Sequence, residues 1–380
     1  MKILSICIPT YNRAQKLEKL LNTVLPQVNE FKDSIEVCIS NNGSTDNTKT
    51  VVKQADAKYP GIIRYSENLS NVGFDRNLLK VTDLATGHFV WLFGDDDSIV
   101  ENGVQVVLGF VEKSDFKNTG LIMLRRESFY FDEASKKRVI HSSSFDEKKP
   151  PQFEMDINEL IAGVFEDDSF ISVMLINNDL LSDLKQNDLE IIEKGLQTLY
   201  IHKLLYKLIF LKFPNAKAFT LNKIVVMQEM PDLKLYVEDE FEFFLRGGKI
   251  EEILESTKYS AAFQKASMRK GASVTAKMLS WKKKGLPLDF MSTLAFMRAF
   301  GVFNYDNYSQ CLRLFRSKLS RSEGTVLSLY FIGISKIPVV ILKNALMGLL
   351  KIFQSDWKKT WLNLSSTFTV YSKGKQRRLR

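Results

Sequence analysis

Gly94-Asp95-Asp96-Asp97 holds more potential chemistry than any other stretch of this sequence. It follows His88-Phe-Val-Trp-Leu-Phe93, an apolar run that reads as a buried strand. Consecutive carboxylates at the end of a buried strand repel one another and lose hydration unless something neutralises them. A divalent cation does so, because Mg²⁺ and Mn²⁺ take oxygen ligands and share them with substrate phosphates. The plainer alternative is a solvated acidic turn leading into a helix near Glu101, since acidic residues are common in turns. The choice depends on what else the fold brings to the end of that strand.

Two other polar clusters have the same setting. Pro9-Thr10-Tyr11-Asn12-Arg13 closes a β-branched run at 3–8, and Asn41-Asn42-Gly43-Ser44-Thr45-Asp46 closes a second run at 34–40. Thr10 and Tyr11 offer backbone groups and a ring to a nucleotide base. Asn41 and Asn42 offer amides to a base or ribose, and Arg76 a cation to an anion or carbonyl. Further strands are expected at 62–65 and 88–93, and helices at 14–25, 74–85 and 104–111. Leu17, Leu20, Leu21 and Val24 have the spacing of one helical face, and Asn12 with Gln15 approximates a capping box. Strand and helix alternate, which argues a parallel sheet with helices on both faces and ligands at the carboxyl edge. From Gly120 the pattern shifts to short strands at 121–124, 127–131 and 138–141, a buried strand at 170–176, a helix at 196–212 and a strand at 218–227. A first domain over 1–230 is followed by 231–380, which reads as all-helical with Gly and Pro punctuation.

The order of these clusters resembles a known family. Ser5-Ile-Cys-Ile-Pro-Thr-Tyr-Asn-Arg13, Ile39-Ser-Asn-Asn-Gly-Ser-Thr-Asp-Asn-Thr48, Glu67-Asn68, Gly73-Phe-Asp-Arg-Asn77 and Trp91-Leu-Phe-Gly-Asp-Asp-Asp97 look like a family 2 glycosyltransferase of the GT-A fold, in its abequosyltransferase-like bacterial subgroup. The likeness is strong over 1–110 and extends to about 230 through Phe170-Ile-Ser-Val and Tyr200-Ile-His202. It implies a GT-A nucleotide-sugar-binding domain with a mostly parallel central sheet, a nucleotide-sugar donor and Mn²⁺ or Mg²⁺. It implies base contacts from Thr10 and Tyr11 within the 9–13 segment. Asn41 stands where the family usually has a base-binding Asp, and Arg76 where it has a base- or phosphate-contacting Arg. The acidic triplet matches the family's Asp-X-Asp motif in two registers. In the favoured one Asp95 faces the ribose, Asp96 the metal, and Asp97 is a supporting carboxylate; in the other, Asp97 is the ligand. The cation would act as a Lewis acid on the diphosphate leaving group.

Transfer to an acceptor hydroxyl with inversion needs a base opposite the leaving group. The candidates are His202, near the place where the family puts its base, and Glu166-Asp167-Asp168, just before the strand at 170. Each has a plain alternative: a packed histidine on an apolar face, and a solvated turn. The resemblance implies a saccharide acceptor, lipid-linked, in bacterial O-antigen or capsule assembly.

Bulk properties agree with a globular protein that meets anions. The 380 residues are 45% hydrophobic and 26% charged, with a net charge of +9. Three scattered cysteines, Cys7, Cys38 and Cys311, give neither zinc spacing nor a disulfide framework and suit a reducing compartment. The N-terminal apolar run is too short for a signal peptide, and there is no uninterrupted apolar stretch of about 20 residues, so a cytoplasmic location is expected. The stretch 338–353 is apolar except for Lys343, Asn344 and Lys351. With Trp357, Trp361 and the basic tail to Arg380, it has the composition of a helix lying on an anionic membrane surface, which would make the protein peripheral on the inner face of the plasma membrane. A helix buried in a C-terminal bundle is the alternative.

Two rivals differ in kind. A nucleotidyltransferase would carry a Gly-rich phosphate loop near its N-terminus, and 9–13 has no Gly. A basic nucleic-acid-binding protein would need its excess charge on the first domain, whereas that charge sits largely in the tail, so no nucleic-acid partner is expected.

Overall fold

The computed structural model describes residues 2–132, 137–162, 170–229, 250 and 252–266. The expected strands and helices of the first half are present. They are β1 (Leu4–Thr10), α1 (Ala14–Glu30), β2 (Ile35–Asn41), α2 (Thr48–Lys58), β3 (Ile63–Glu67), α3 (Phe74–Asp83) and β4 (Phe89–Leu92). Then come β5 (Asp97–Ile99), α4 (Gly103–Val111), β6 (Thr119–Asp132), β7 (Lys137–Ser143) and β8 (Gln152–Glu154). A 3-10 turn at Ile171–Val173 leads into β9 (Met174–Asn177). The short helix α5 (Ile157–Ile161) follows β8, and helices α6 (Asn178–Asn187), α7 (Leu189–Lys194) and α8 (Ile201–Lys212) precede β10 (Lys217–Glu229).

The sheet order is β3-β2-β1-β4-β9-β6-β10-β5, with β7 beside β6 and β8 beside β10. β1, β2, β3 and β4 are mutually parallel. β9 runs antiparallel to both β4 and β6, so β6 and its parallel neighbour β10 point the same way as the first four. The sheet is therefore mixed and mostly parallel in strand direction. β1 and β2 are buried along their whole length, which fits their near-continuous apolar runs. The free Cys7 and Cys38 are register partners there, both buried. α3 packs on β1 and β2, α6 on β9, and α8 on β6.

Several local expectations are corrected. Helix α1 passes through Pro26 to Glu30 rather than stopping at 25. Pro26 is exposed while Leu25 and Val28 are buried, so apolar contacts continue the helix past the backbone hydrogen bond that proline removes. Asn12 does not cap α1. Its Oδ1 accepts the Thr45 N–H at 2.8 Å, and the first helical N–H, that of Ala14, goes to Asp46 Oδ2 at 2.9 Å. The strands expected at 121–124 and 127–131 are one strand, β6, which meets β10 through register shifts. The buried strand expected at 170–176 begins as the 3-10 turn. The helix expected from 196 begins at Ile201, because Gln197 (φ 71°) and Leu199 (φ 64°) break it with left-handed backbone.

The described residues fall into two compact units, the first formed by 2–132, 137–157, 170–229 and 250. In the second, Leu160 and Ile161 of α5 (Ile157–Ile161) are buried, as are Ala162, Leu254, Phe263 and Ala266. The remainder of 231–380, including the expected interfacial stretch 338–353, lies outside the described residues, as do Glu166, Asp167 and Asp168. Among the described residues, no helix is long and apolar enough to cross a membrane.

Candidate active site

Parallel strands bring their carboxyl ends to one edge, and there the chain gathers its acidic loop and its N-terminal cations. Thr10, the last residue of β1, donates from Oγ1 to Asp95 Oδ2 at 2.7 Å, across 85 residues. Arg13 reaches Asp95 at 2.9 Å and Asp96 at 3.0 Å, and Lys16, three residues along α1, reaches Asp96 at 3.2 Å. Asp95 is buried, and burial pushes its carboxyl up against the opposing pull of the Arg13 guanidinium and the Thr10 hydroxyl. Asp96 is the exposed member of the triplet, with 41% of its side chain accessible.

Asp97 turns the other way. It opens β5, a strand that pairs antiparallel with β10 through Gln228, so the triplet ends inside the sheet and not in a free turn. Its carboxylate is buried and accepts the Ser172 hydroxyl. Burial, with the Asp96 charge beside it, pushes the Asp97 carboxyl up to about 7.

The amide cluster forms the other flank. Asn41 is fully buried; its Nδ2 donates to the Tyr65 hydroxyl at 2.9 Å and its Oδ1 accepts the Ser44 N–H at 3.0 Å. Asn42 Nδ2 donates to Asn71 at 2.8 Å, and its Oδ1 accepts from Asn68 Nδ2 at 3.0 Å and from the Val72 N–H at 2.9 Å. Asn68 also donates to Asn77 on α3 and accepts from Lys80 at 2.7 Å. These bonds fasten the loops after β2 and β3 to each other. Gly43 makes the closest approach: its φ is +70°, and a Cβ there would lie 2.8 Å from Ser70 backbone.

The structure thus brings Thr10, Arg13, Asp95, Asp96, Asn12 and the 41–46 loop to one edge. Pro9 is buried in the sheet opposite Ser40, and Tyr11 is 40% exposed. Arg76 is exposed on the first turn of α3, beside buried Asp75 and Asn77. His202 is not presented at the surface. It is 1% exposed on α8, with its ring 5.6 Å from that of Tyr200.

Three contributors escape the sequence reading. Lys16 shares the Arg13 side of α1 at i, i+3 spacing. Asp75 and Ser172 give no local signal, because their partners lie 124 and 75 residues away in the chain. Asp46, which closes the polar cluster at 41–46, accepts the Thr48 N–H two residues on and the Ala14 N–H from 32 residues back.

Among the described residues, no three His, Cys, Asp or Glu side chains converge on a metal position. The residues present still fit a hard cation of one kind. Asp96 offers one accessible carboxylate, and Mg²⁺ commonly takes one or two carboxylates plus phosphate oxygens and water.

Residues 5–172 match the sequence family described as Glycosyl transferase family 2. The abequosyltransferase RfbV of Salmonella typhimurium is 38% identical over 124 residues, 31% of this chain and 37% of the relative. The GalNAc(5)-diNAcBac-PP-undecaprenol beta-1,3-glucosyltransferase of Campylobacter jejuni is 27% identical over 148 residues, 39% of this chain and 47% of the relative. The matched part is therefore less than half the length of either relative. Among solved structures, S. aureus TarS 1–349 in complex with UDP-GlcNAc is similar at a TM-score of 0.48 and 18% identity, covering 71% of each chain.

Proposed function

Residues 5–172 are a family 2 glycosyltransferase domain of abequosyltransferase-like type, and on that premise we propose that the protein moves a sugar from a nucleotide-sugar donor to a hydroxyl of a saccharide acceptor. The observation that carries this reading is the convergence of Thr10, Arg13 and Lys16 on Asp95 and Asp96 at the carboxyl edge of β1 and β4. An anionic diphosphate meets two cationic side chains there. Asp96 would hold Mn²⁺ or Mg²⁺, and the chemistry such a cation would supply when bound is Lewis-acid stabilisation of the diphosphate. Tyr11 and Arg76, both exposed, contact the donor. Asn41 acts by fixing the loop that receives the base, since both ends of its amide are already engaged inside the protein.

The acceptor hydroxyl gives its proton to a base. Glu166, Asp167 and Asp168 are candidates for that base. His202 is another, and its burial means that it serves only if α8 or its surroundings open. The name of the Campylobacter relative contains a PP-undecaprenol-linked saccharide, and this supports a lipid-linked saccharide acceptor for the present chain. With such an acceptor the transfer belongs to bacterial surface polysaccharide assembly at the inner face of the plasma membrane.

The test is incubation of the full chain with a panel of nucleotide-sugars, Mn²⁺ and undecaprenyl-linked or free saccharides, following nucleoside diphosphate release and the glycosylated product. Release with one donor, dependent on acceptor and suppressed by chelator, is expected. No release or product across the panel, together with no binding of any nucleoside diphosphate, overturns the reading.

A further inference from the structure

Ser172 is fully buried and fastened to the acidic loop at three points. Its Oγ accepts the Gly94 N–H at 2.8 Å, its hydroxyl donates to Asp97 Oδ2, and its carbonyl accepts Trp91 Nε1–H at 2.8 Å. One serine of the 3-10 turn before β9 therefore holds the first and last residues of the run Gly94–Asp97, together with the strand that leads into it. The loop is tight within itself as well: the Asp97 N–H points back to the Gly94 carbonyl at 3.4 Å. A Cβ at Gly94 would lie 3.2 Å from Asp97 Oδ2 and 3.3 Å from both Asp96 Oδ1 and Ser172 Oγ. Turning Asp97 outward in place of Asp96 would break its bond to Ser172 and leave a buried hydroxyl without that acceptor.

We propose that Ser172 and Asp97 form a positioning pair that presents Asp96 to the cation and diphosphate, and that Asp97 itself is not a ligand. This rests on the donor-site reading above and goes further, assigning a role to a residue outside the acidic motif. Asp97 is buried, and its Oδ2 is committed to Ser172. Asp96, one residue away, is accessible and faces Arg13 and Lys16. Groups that orient a metal ligand without touching the metal characteristically tune its affinity, so Ser172 acts on the cation through the loop and not through contact.

The experiment measures binding of nucleoside diphosphates to the full chain by titration calorimetry, in Mn²⁺ and in chelator, for wild type, Ser172→Ala, Asp97→Asn and the double variant. Ser172→Ala is expected to weaken the Mn²⁺-dependent binding by about 10–100-fold while leaving the affinity in chelator unchanged. A general loss of structure would lower both. Asp97→Asn keeps an acceptor for the Ser172 hydroxyl and is expected to retain most of the Mn²⁺-dependent affinity. The two effects should be non-additive, because the residues are in contact.

If wild type shows Mn²⁺-dependent binding and Ser172→Ala matches it, the positioning role is overturned and the donor-site reading stands. If Asp97→Asn abolishes Mn²⁺-dependent binding, Asp97 is a ligand and the proposal is wrong. If wild type binds equally with and without Mn²⁺, the cation assignment falls and takes the proposal with it. Should Ser172→Ala not fold, Ser172→Cys, with its similar volume and weak donor, reads the same loss.

Discussion

Asp75 on α3 accepts the backbone N–H of Leu199 at 3.0 Å, and its other oxygen accepts the N–H of Ile201 at 3.3 Å. A buried carboxylate beside Arg76 thus holds the segment that opens α8, where Gln197 and Leu199 carry positive φ. Non-glycine residues stay in that region only when the surroundings over-determine them. Asp75→Ala removes the acceptor and leaves buried N–H groups without a partner, so destabilisation of about 1–3 kcal/mol is expected, with Asp75→Asn milder. Urea denaturation followed by circular dichroism measures it. An unchanged midpoint for Asp75→Ala would mean that α8 starts where it does for other reasons.

Asp96→Ala should abolish Mn²⁺-dependent nucleoside diphosphate binding and transfer. The fold should barely notice, because ion pairs this exposed contribute only about 0–1 kcal/mol. Calorimetry and a thermal melt separate the two effects. A mild Asp96→Ala beside an inactive Asp97→Ala would reverse the register of the acidic motif.

Arg76 and Asn41 should part company. Arg76 is exposed, so Arg76→Ala is expected to raise KM for the donor with little change in kcat or in the melting temperature. Asn41 is buried and bonded at both ends of its amide, so Asn41→Ala should also lower stability, by about 1–3 kcal/mol. Equal melting temperatures for Asn41→Ala and wild type would show that its hydrogen bonds hold nothing in place.

The buried Asp97 gives a pH dependence of known sign. Its folded pKa of about 7 lies above the value of 3.8 expected for an unperturbed aspartate. Between these values the folded protein binds more protons than the unfolded chain, so this group's contribution to stability falls as pH rises. Below 3.8 that contribution is intact, and above about 7 its loss is complete. Denaturation midpoints between pH 4 and 8, taken in chelator for wild type and Asp97→Asn, isolate the effect. The variant should show a flatter profile across that window, and identical profiles would remove Asp97 as its source.

The sequence by itself determined the alternation of strands and helices as far as α4 and the grouping of polar clusters at strand ends. Period-two and period-3.6 apolar patterns are local, so Leu17 through Val24 or Ile35 through Ile39 declare their element without help from distant parts of the chain. The same locality made Gly94–Asp97 conspicuous. The sequence could not say which carboxylate faces solvent. That was decided when β5 paired with β10 and Ser172 closed on Asp97, contacts that join residues 75 or more positions apart in the chain. It was also tertiary structure that placed Asn41 inside the protein, gave the first N–H of α1 to Asp46, and stopped α8 short at Ile201 through Asp75. A polar side chain carries no periodicity that names its partner. Its role is fixed only when folding takes it out of water and the nearest donor or acceptor must satisfy it.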